Sequence, residues 1–199
     1  MCFFKIFFPH FLKINIFLKF SERLLQEKEK IDLDCERLVI SKIKISCGNQ
    51  YTKDLEGMLQ DYNTSSEINA QFQTQAKNYN TVIEFSIKIL CKANWPTEKN
   101  YPLFLPKGLE FWKMEFDEFY KKTSSNYKVL EWVYSLSSLT LRMSLEAKTY
   151  DVALSMYQAA VLFLFESDKV SLSVKETADK LSFPEDFCHK LIKSMVKIS

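Results

Sequence analysis

The sequence predicts a mainly helical α+β chain, and three observations predict it. Apolar residues recur at helical spacing through most of residues 16–75. The period drops to two at 83–89 and again between 130 and 154. Near the end, two serine–glutamate pairs punctuate short amphipathic runs, the pattern of a helix-turn-helix or winged-helix-like module.

The elements follow in order. The first twenty residues, MCFFKIFFPHFLKINIFLKF, are largely apolar but interrupted by Lys5, Lys13 and Lys19. Their apolar runs fall short of the roughly 20 residues a bilayer span needs. No small-residue cleavage site follows, and Pro9 is expected to break a helix. This segment reads as a buried or incomplete helix. Residues 16–31 form an amphipathic helix on Ile16, Phe17, Phe20, Leu24 and Leu25, with a charged end at Glu27–Lys30. A second helix spans 36–45, with Leu38, Ile40, Ile43 and Ile45 as its apolar positions, and Gly48 stops it. A third starts at Thr52 as N-cap, with a stripe of Leu55, Met58, Leu59 and Tyr62, and runs to Gln75 through Ile68 and Phe72.

Ile83, Phe85, Ile87 and Ile89 then alternate with Glu84, Ser86 and Lys88, the signature of a half-buried strand. Residues 94–108 hold three of the five prolines and form an ordered loop. Leu109, Trp112, Phe116, Phe119 and Tyr120 restore helical spacing. After the polar KKTSSN turn, Leu130, Trp132, Tyr134 and Leu136 alternate, as do Leu139, Leu141, Met143 and Leu145. They predict a hairpin broken at Ser137-Ser138. Val152, Leu154 and Met156 give another short strand, and 158–165 a buried helix. Ser173/Glu176 and Ser182/Glu185 read as capping boxes for helices at 174–181 and 184–196.

Composition excludes several chemistries. Three glycines in 199 residues leave no phosphate-cradling loop. Two histidines and five scattered cysteines, without a C-x-x-C, offer no metal site, and the sequence implies no cofactor. The odd cysteine count fits buried thiols in a reducing cytoplasm or nucleus. Neighbouring Cys188 and His189 point about 100° apart on a helix, which makes a poor dyad. Carboxylate pairs such as Asp54/Glu56 and Asp117/Glu118 read as solvated helix faces. No catalytic residue is assigned. A net charge of +2 does not call for nucleic acid. Lys190, Lys193 and Lys197 on the last helix keep open a winged-helix nucleic-acid or protein-interaction module, but no arginine accompanies them. A small sheet has edges that a partner strand can complete.

The motifs carry a resemblance. FLKFSERLLQEK places an arginine-leucine-leucine motif on Arg23, Leu24 and Leu25. The block ERLVISKIKISCGNQYTKDLEGMLQD supplies Lys44, Cys47, Gly48, Tyr51, Thr52, Leu55, Gly57 and Met58. NWPT supplies Trp95 and Pro96, and FDEFYKKTSSNYKVLEWVYSL and LSMYQAAVLFLFE follow in order. From Phe17 onward the chain resembles the carboxyl-terminal homology region of cullins, the scaffolds of multisubunit RING ubiquitin ligases. It departs from the family at Ala93 and Asn94, where a glycine and an aromatic are usual, and at Thr123-Ser124-Ser125-Asn126.

The resemblance implies the end of a helical bundle over 1–80, with 1–16 unmatched as a truncated start. It implies a small, mostly antiparallel sheet with a helix over 81–157, then a winged-helix-like module over 158–199. It implies a RING-box protein as partner, and through it a ubiquitin-conjugating enzyme. Small-molecule substrate, nucleic acid and membrane are disfavoured as partners. The expected supporting sheet carries Ile83, Phe85, Ile87, Ile89, Leu130, Trp132 and Tyr134. The family's adaptor-binding repeats and its modifier-acceptor lysine find no counterpart, and that role is not transferred to Lys193. Gly57, costly in mid-helix, is expected to receive another bundle helix against its missing side chain.

Overall fold

In the computed structural model the described residues are 3–25, 31–77, 83–96, 99–124, 128–145, 148–165 and 171–196, with the backbone alone described for 3–13 and for Leu145. Glu27–Lys30, Thr97, Ser125, Asn126 and Lys197 therefore lie outside the described residues. The chain divides into two compact units, residues 1–97 and 98–199.

The first unit is built on three helices. Helix α1 (Phe3–Leu25) runs through Pro9 rather than breaking there. A proline removes one helical hydrogen bond, and here the helix continues past that loss. Asp32 opens α2 (Leu33–Cys47) as a side-chain N-cap on the Asp34 and Cys35 N–H groups. The core face of α2 carries Leu33, Glu36, Ile40 and Ile43, and of these only Ile40 is fully buried. Leu38 and Ile45 are exposed instead, at 55% and 87%. They lie about 180° from that face at 100° per residue. Gly48 ends α2 as expected, with φ +87° and its N–H on the Lys44 carbonyl.

Helix α3 (Asn49–Ala76) starts directly after Gly48, so Thr52 is not its cap. Thr52 is fully buried inside the first turns and donates to the Glu56 carboxylate at 3.0 Å. Phe20 and Leu24 from α1, Ile40 from α2, and Leu55, Met58 and Leu59 from α3 form one core with Trp95. Among the described cysteines Cys35, Cys47 and Cys91 are exposed, against the expectation of buried thiols, and only Cys188 is buried.

In the second unit α4 (Lys107–Thr123) buries Trp112, Phe116, Phe119 and Tyr120. The hairpin is β1 (Ser138–Leu145) and β2 (Lys148–Ser155), antiparallel, with Leu139 opposite Leu154 and Leu141 opposite Val152. The expected hairpin between 129–136 and 139–145 does not form. Tyr134–Leu136 is one turn of 3-10 helix, and β1 pairs forward. Pairing forward requires only a two-residue connection, the favoured hairpin length. Met156 is the first residue of helix α5 (Met156–Phe163), not strand. Ser155 caps it in a box with Gln158.

Helix α6 (Val174–Leu181) opens on the expected Ser173/Glu176 box. The second expected box is absent. Ser182 ends α6 in the left-handed conformation, φ 56° and ψ 37°, so its side chain does not cap α7 (Glu185–Val196). The Phe183 N–H bonds the Ala178 carbonyl at 2.9 Å, a six-to-one helix closure that glycine usually supplies. Ser182→Gly should therefore stabilise the unit by about 0.5–1 kcal/mol, the side-chain strain relieved less the extra freedom of unfolded glycine. Equilibrium urea unfolding measures it. Unchanged or lower stability contradicts the strain argument.

Candidate functional site

The expected strand at 83–91 is extended, but it belongs to no sheet among the described residues. Its backbone is held by side chains of α3. Gln73 donates to the Phe85 carbonyl. Asn69 Oδ1 accepts the Ile87 N–H at 3.2 Å. Ser65 Oγ accepts the Ile89 N–H at 2.7 Å and donates to the Ile89 carbonyl at 2.8 Å. Asp61 Oδ2 accepts the Cys91 N–H at 2.9 Å. Ile83, Phe85, Ile87 and Ile89 are therefore not members of a sheet, because the partners that would define a strand are replaced by side-chain groups.

Two side chains pin the segment sideways. The Phe85 ring meets Phe72 edge-on, centroids 6.3 Å apart. Lys88 Nζ donates to the Leu24 and Leu25 carbonyls at 3.0 and 2.9 Å, placing a cation at the negative end of α1. At its carboxyl end the segment turns through Cys91–Asn94, closed by Asn94 N–H on the Cys91 carbonyl. The same Asp61 Oδ2 then accepts the Asn94 amide at 3.2 Å and the Trp95 indole N–H at 2.8 Å. One carboxylate oxygen thus fastens three donors. A Cβ built on Gly57 would lie 2.5–2.7 Å from the Asn94 side-chain atoms. The glycine is required by this turn, and the expected neighbouring helix is not what meets it.

In the second unit, Leu130, Trp132 and Tyr134 likewise lie outside the sheet. The Asn100 amide substitutes for a neighbouring strand there. It donates to the Trp132 carbonyl at 2.8 Å and accepts the Tyr134 N–H at 2.8 Å. The Trp132 indole donates to Asp117 at 3.0 Å and meets Phe116 edge-on. The Tyr157 hydroxyl accepts the Tyr101 N–H at 2.7 Å, and the two rings form a cluster with Phe183 and Phe187.

The remaining candidates place as follows. Cys188 is buried and burial raises its thiol pKa, with Glu185 adding to the effect. His189 is exposed beside it, so the two do not face one another. No cluster of three potential metal ligands occurs among the described residues, and no helix there is long and apolar enough to cross a membrane. Helix α7 exposes Lys190 and Lys193, but its first turn exposes Glu185 and Asp186. Recognition helices meet base edges with their amino-terminal residues, and acidic groups there repel phosphate.

Comparison with known proteins accounts for most of the chain. Residues 89–199 match the family described as the Cullin alpha+beta domain, and residues 18–69 the Cullin alpha solenoid domain. The chain belongs to the cullin family. Cullin-1 of Oryza sativa subsp. japonica is 32% identical over 181 residues, covering 89% of this chain and 24% of that protein. Cullin-3 of Dictyostelium discoideum is 30% identical over 166 residues, covering 82% and 21%. Cullin-2 of Arabidopsis thaliana is 30% identical over 180 residues, covering 89% and 24%. The chain spans about a quarter of the length of these relatives.

The cullin motifs sit in the framework of the first unit. Arg23 makes a two-pronged ion pair with Glu36, both contacts 3.0 Å, joining α1 to α2. Lys44 pairs with Glu56 at 3.0 Å and joins α2 to α3. The Lys44 hydrogen bond lowers the Glu56 pKa against desolvation by burial, and Thr52 adds a lesser lowering. Gly48 shapes the turn, Leu24, Leu55 and Met58 fill the core, and Trp95 covers it. Tyr51 is half-buried, Cys47 exposed, and Leu25 and Pro96 half-buried. The residues the motifs did not reveal are Asp61, Ser65, Asn69 and Gln73. Their four-residue spacing was visible, but on a helix such a row reads as a solvated face.

Proposed function

We propose that this cullin segment is the scaffold part of a RING ubiquitin ligase that receives a RING-box protein, which in turn recruits a ubiquitin-conjugating enzyme for ubiquitin-dependent protein catabolism. The observation that carries the reading is the nine-residue segment 83–91. It is extended, alternates apolar and polar residues, and joins no sheet among the described residues. A partner strand that supplies its own backbone groups is the natural complement of such an edge. Ile83, Phe85, Ile87 and Ile89 are proposed as its side-chain support. Leu130, Trp132 and Tyr134 are proposed for a second extended segment of the same character.

The chain performs no catalytic step in this reading, because transfer chemistry resides with the conjugating enzyme. Adaptors and substrates would be engaged by other parts of a full-length cullin. A cytoplasmic or nuclear location fits the exposed free thiols of Cys35, Cys47 and Cys91.

Co-expression with a RING-box protein tests the proposal. A stable complex is expected, with a Kd below about 1 µM, and the complex should support ubiquitin-chain synthesis with a conjugating enzyme. No complex, or a complex inert in chain synthesis, defeats it. Steep loss of DNA affinity with rising salt would instead favour the nucleic-acid module.

A further inference from the structure

We propose that Asp61, Ser65, Asn69 and Gln73 form a positioning row, which holds residues 85–91 extended and in fixed register before any partner strand arrives. The proposal rests on the partner-binding reading above and concerns how that edge is prepared.

The spacings fit. Four residues of helix advance about 6.0 Å, and two residues of extended chain about 6.7 Å. A row at i, i+4, i+8 and i+12 therefore meets every second peptide of an antiparallel segment. The mismatch is about 0.7 Å per step, or about 2 Å across the row. Side-chain length takes it up: the shortest member, Ser65, is interior, and the longest, Gln73, is at one end. Such rows incline about 26° to the helix axis, so the segment crosses α3 obliquely.

The chemistry fits as well. Asp61 and Asn69 present oxygen acceptors to N–H groups, and Gln73 presents a donor to a carbonyl. Ser65 does both for Ile89, the reciprocal exchange a neighbouring strand would make. A one-residue slip would exchange the faces of every side chain. Phe85 would leave Phe72, and Lys88 would leave the α1 carbonyls. Register is thus fixed twice, by the row and by these flanking contacts.

The consequence is energetic. Fixing a backbone in one conformation costs conformational entropy at every residue. A segment already ordered by its own helix spares the partner most of that cost.

The test compares the full chain with the double variant Ser65→Ala/Asn69→Leu and with Asn69→Asp, which keeps an acceptor oxygen. In the free wild-type chain the Ile87, Ile89 and Cys91 amides should exchange slowly with solvent. The double variant should exchange the Ile87 and Ile89 amides at least about tenfold faster, while Cys91, still held by Asp61, and Leu59 and Phe72 in α3 stay protected. Its affinity for a RING-box protein should fall by about tenfold to a hundredfold. Asn69→Asp should stay within about threefold of wild type in both measurements.

Unprotected amides in the free wild type would overturn the proposal. So would a double variant that loses protection yet binds with wild-type affinity. If the double variant loses α3 protection too, Asn69→Leu alone provides the same comparison. If the wild type binds no RING-box protein, the scaffold reading falls, and exchange alone decides the positioning row: protection lost in the variant upholds it, and absent protection overturns it.

Discussion

Asp61→Ala is expected to destabilise the first unit by about 3 kcal/mol, the largest effect of any single polar truncation in it. Hydrogen bonds to a charged group contribute about 1.5–3 kcal/mol each, and a buried donor left without a partner costs about 1–3 kcal/mol. Three donors converge on one Asp61 oxygen: the Cys91 N–H, the Asn94 amide and the Trp95 indole. They share one acceptor, so their contributions do not add in full. Trp95 is only 7% exposed, and it closes the core formed by Phe20, Leu24, Leu55 and Met58. Removing Asp61 takes away the acceptor of that indole N–H beside the core. Asp61→Asn keeps a carbonyl oxygen and should recover at least half of the loss. Urea unfolding followed by tryptophan fluorescence distinguishes these outcomes. An alanine variant within about 1 kcal/mol of wild type would show that the convergence contributes little.

The pattern of what the sequence disclosed has a physical explanation. Helical stripes at Leu55, Met58, Leu59 and at Trp112, Phe116, Phe119 and Tyr120 are legible because burial itself imposes the 3.6-residue period. The extended character of 83–91 is legible for the same reason at period two. What alternation cannot encode is the identity of the neighbour that satisfies the backbone. A strand partner was expected, and side chains twelve to thirty residues away do the work at 85–91. Asn100 does so for Trp132 and Tyr134. Local end signals failed where two fitted. Ser182 and Glu185 have the spacing of a capping box, but ending α6 in the left-handed conformation commits Ser182 to the helix before it. Thr52 looked like a cap because a threonine precedes acidic residues. Gly48, four residues earlier, already serves as both stop and start.

Gly57→Leu is expected to destabilise the first unit by about 2–3 kcal/mol, the upper part of the range for overpacking. Helix propensity alone predicts the opposite sign, a gain of nearly 1 kcal/mol. The decision rests on Asn94, whose side-chain atoms lie 2.5–2.7 Å from where a Cβ would stand. A side-chain end can often swing aside, but this amide is tied to Asp61, and Asp61 also holds Cys91 and Trp95. Moving Asn94 therefore strains the turn that seats Trp95 on the core. The same reasoning makes a double substitution informative. Gly57→Ala should destabilise the otherwise unchanged chain by about 1 kcal/mol, because the clash outweighs the propensity gain. In an Asn94→Ala background the obstructing amide is gone, and Gly57→Ala should become neutral or stabilising. A coupling of at least about 1 kcal/mol between the two positions is the expected result of the cycle. Strict additivity would mean that the missing side chain at Gly57 answers to something other than this turn. The glycine accommodates the Asn94 side chain that this turn presents, and the helix bears its propensity cost so that the segment above it can begin where it does.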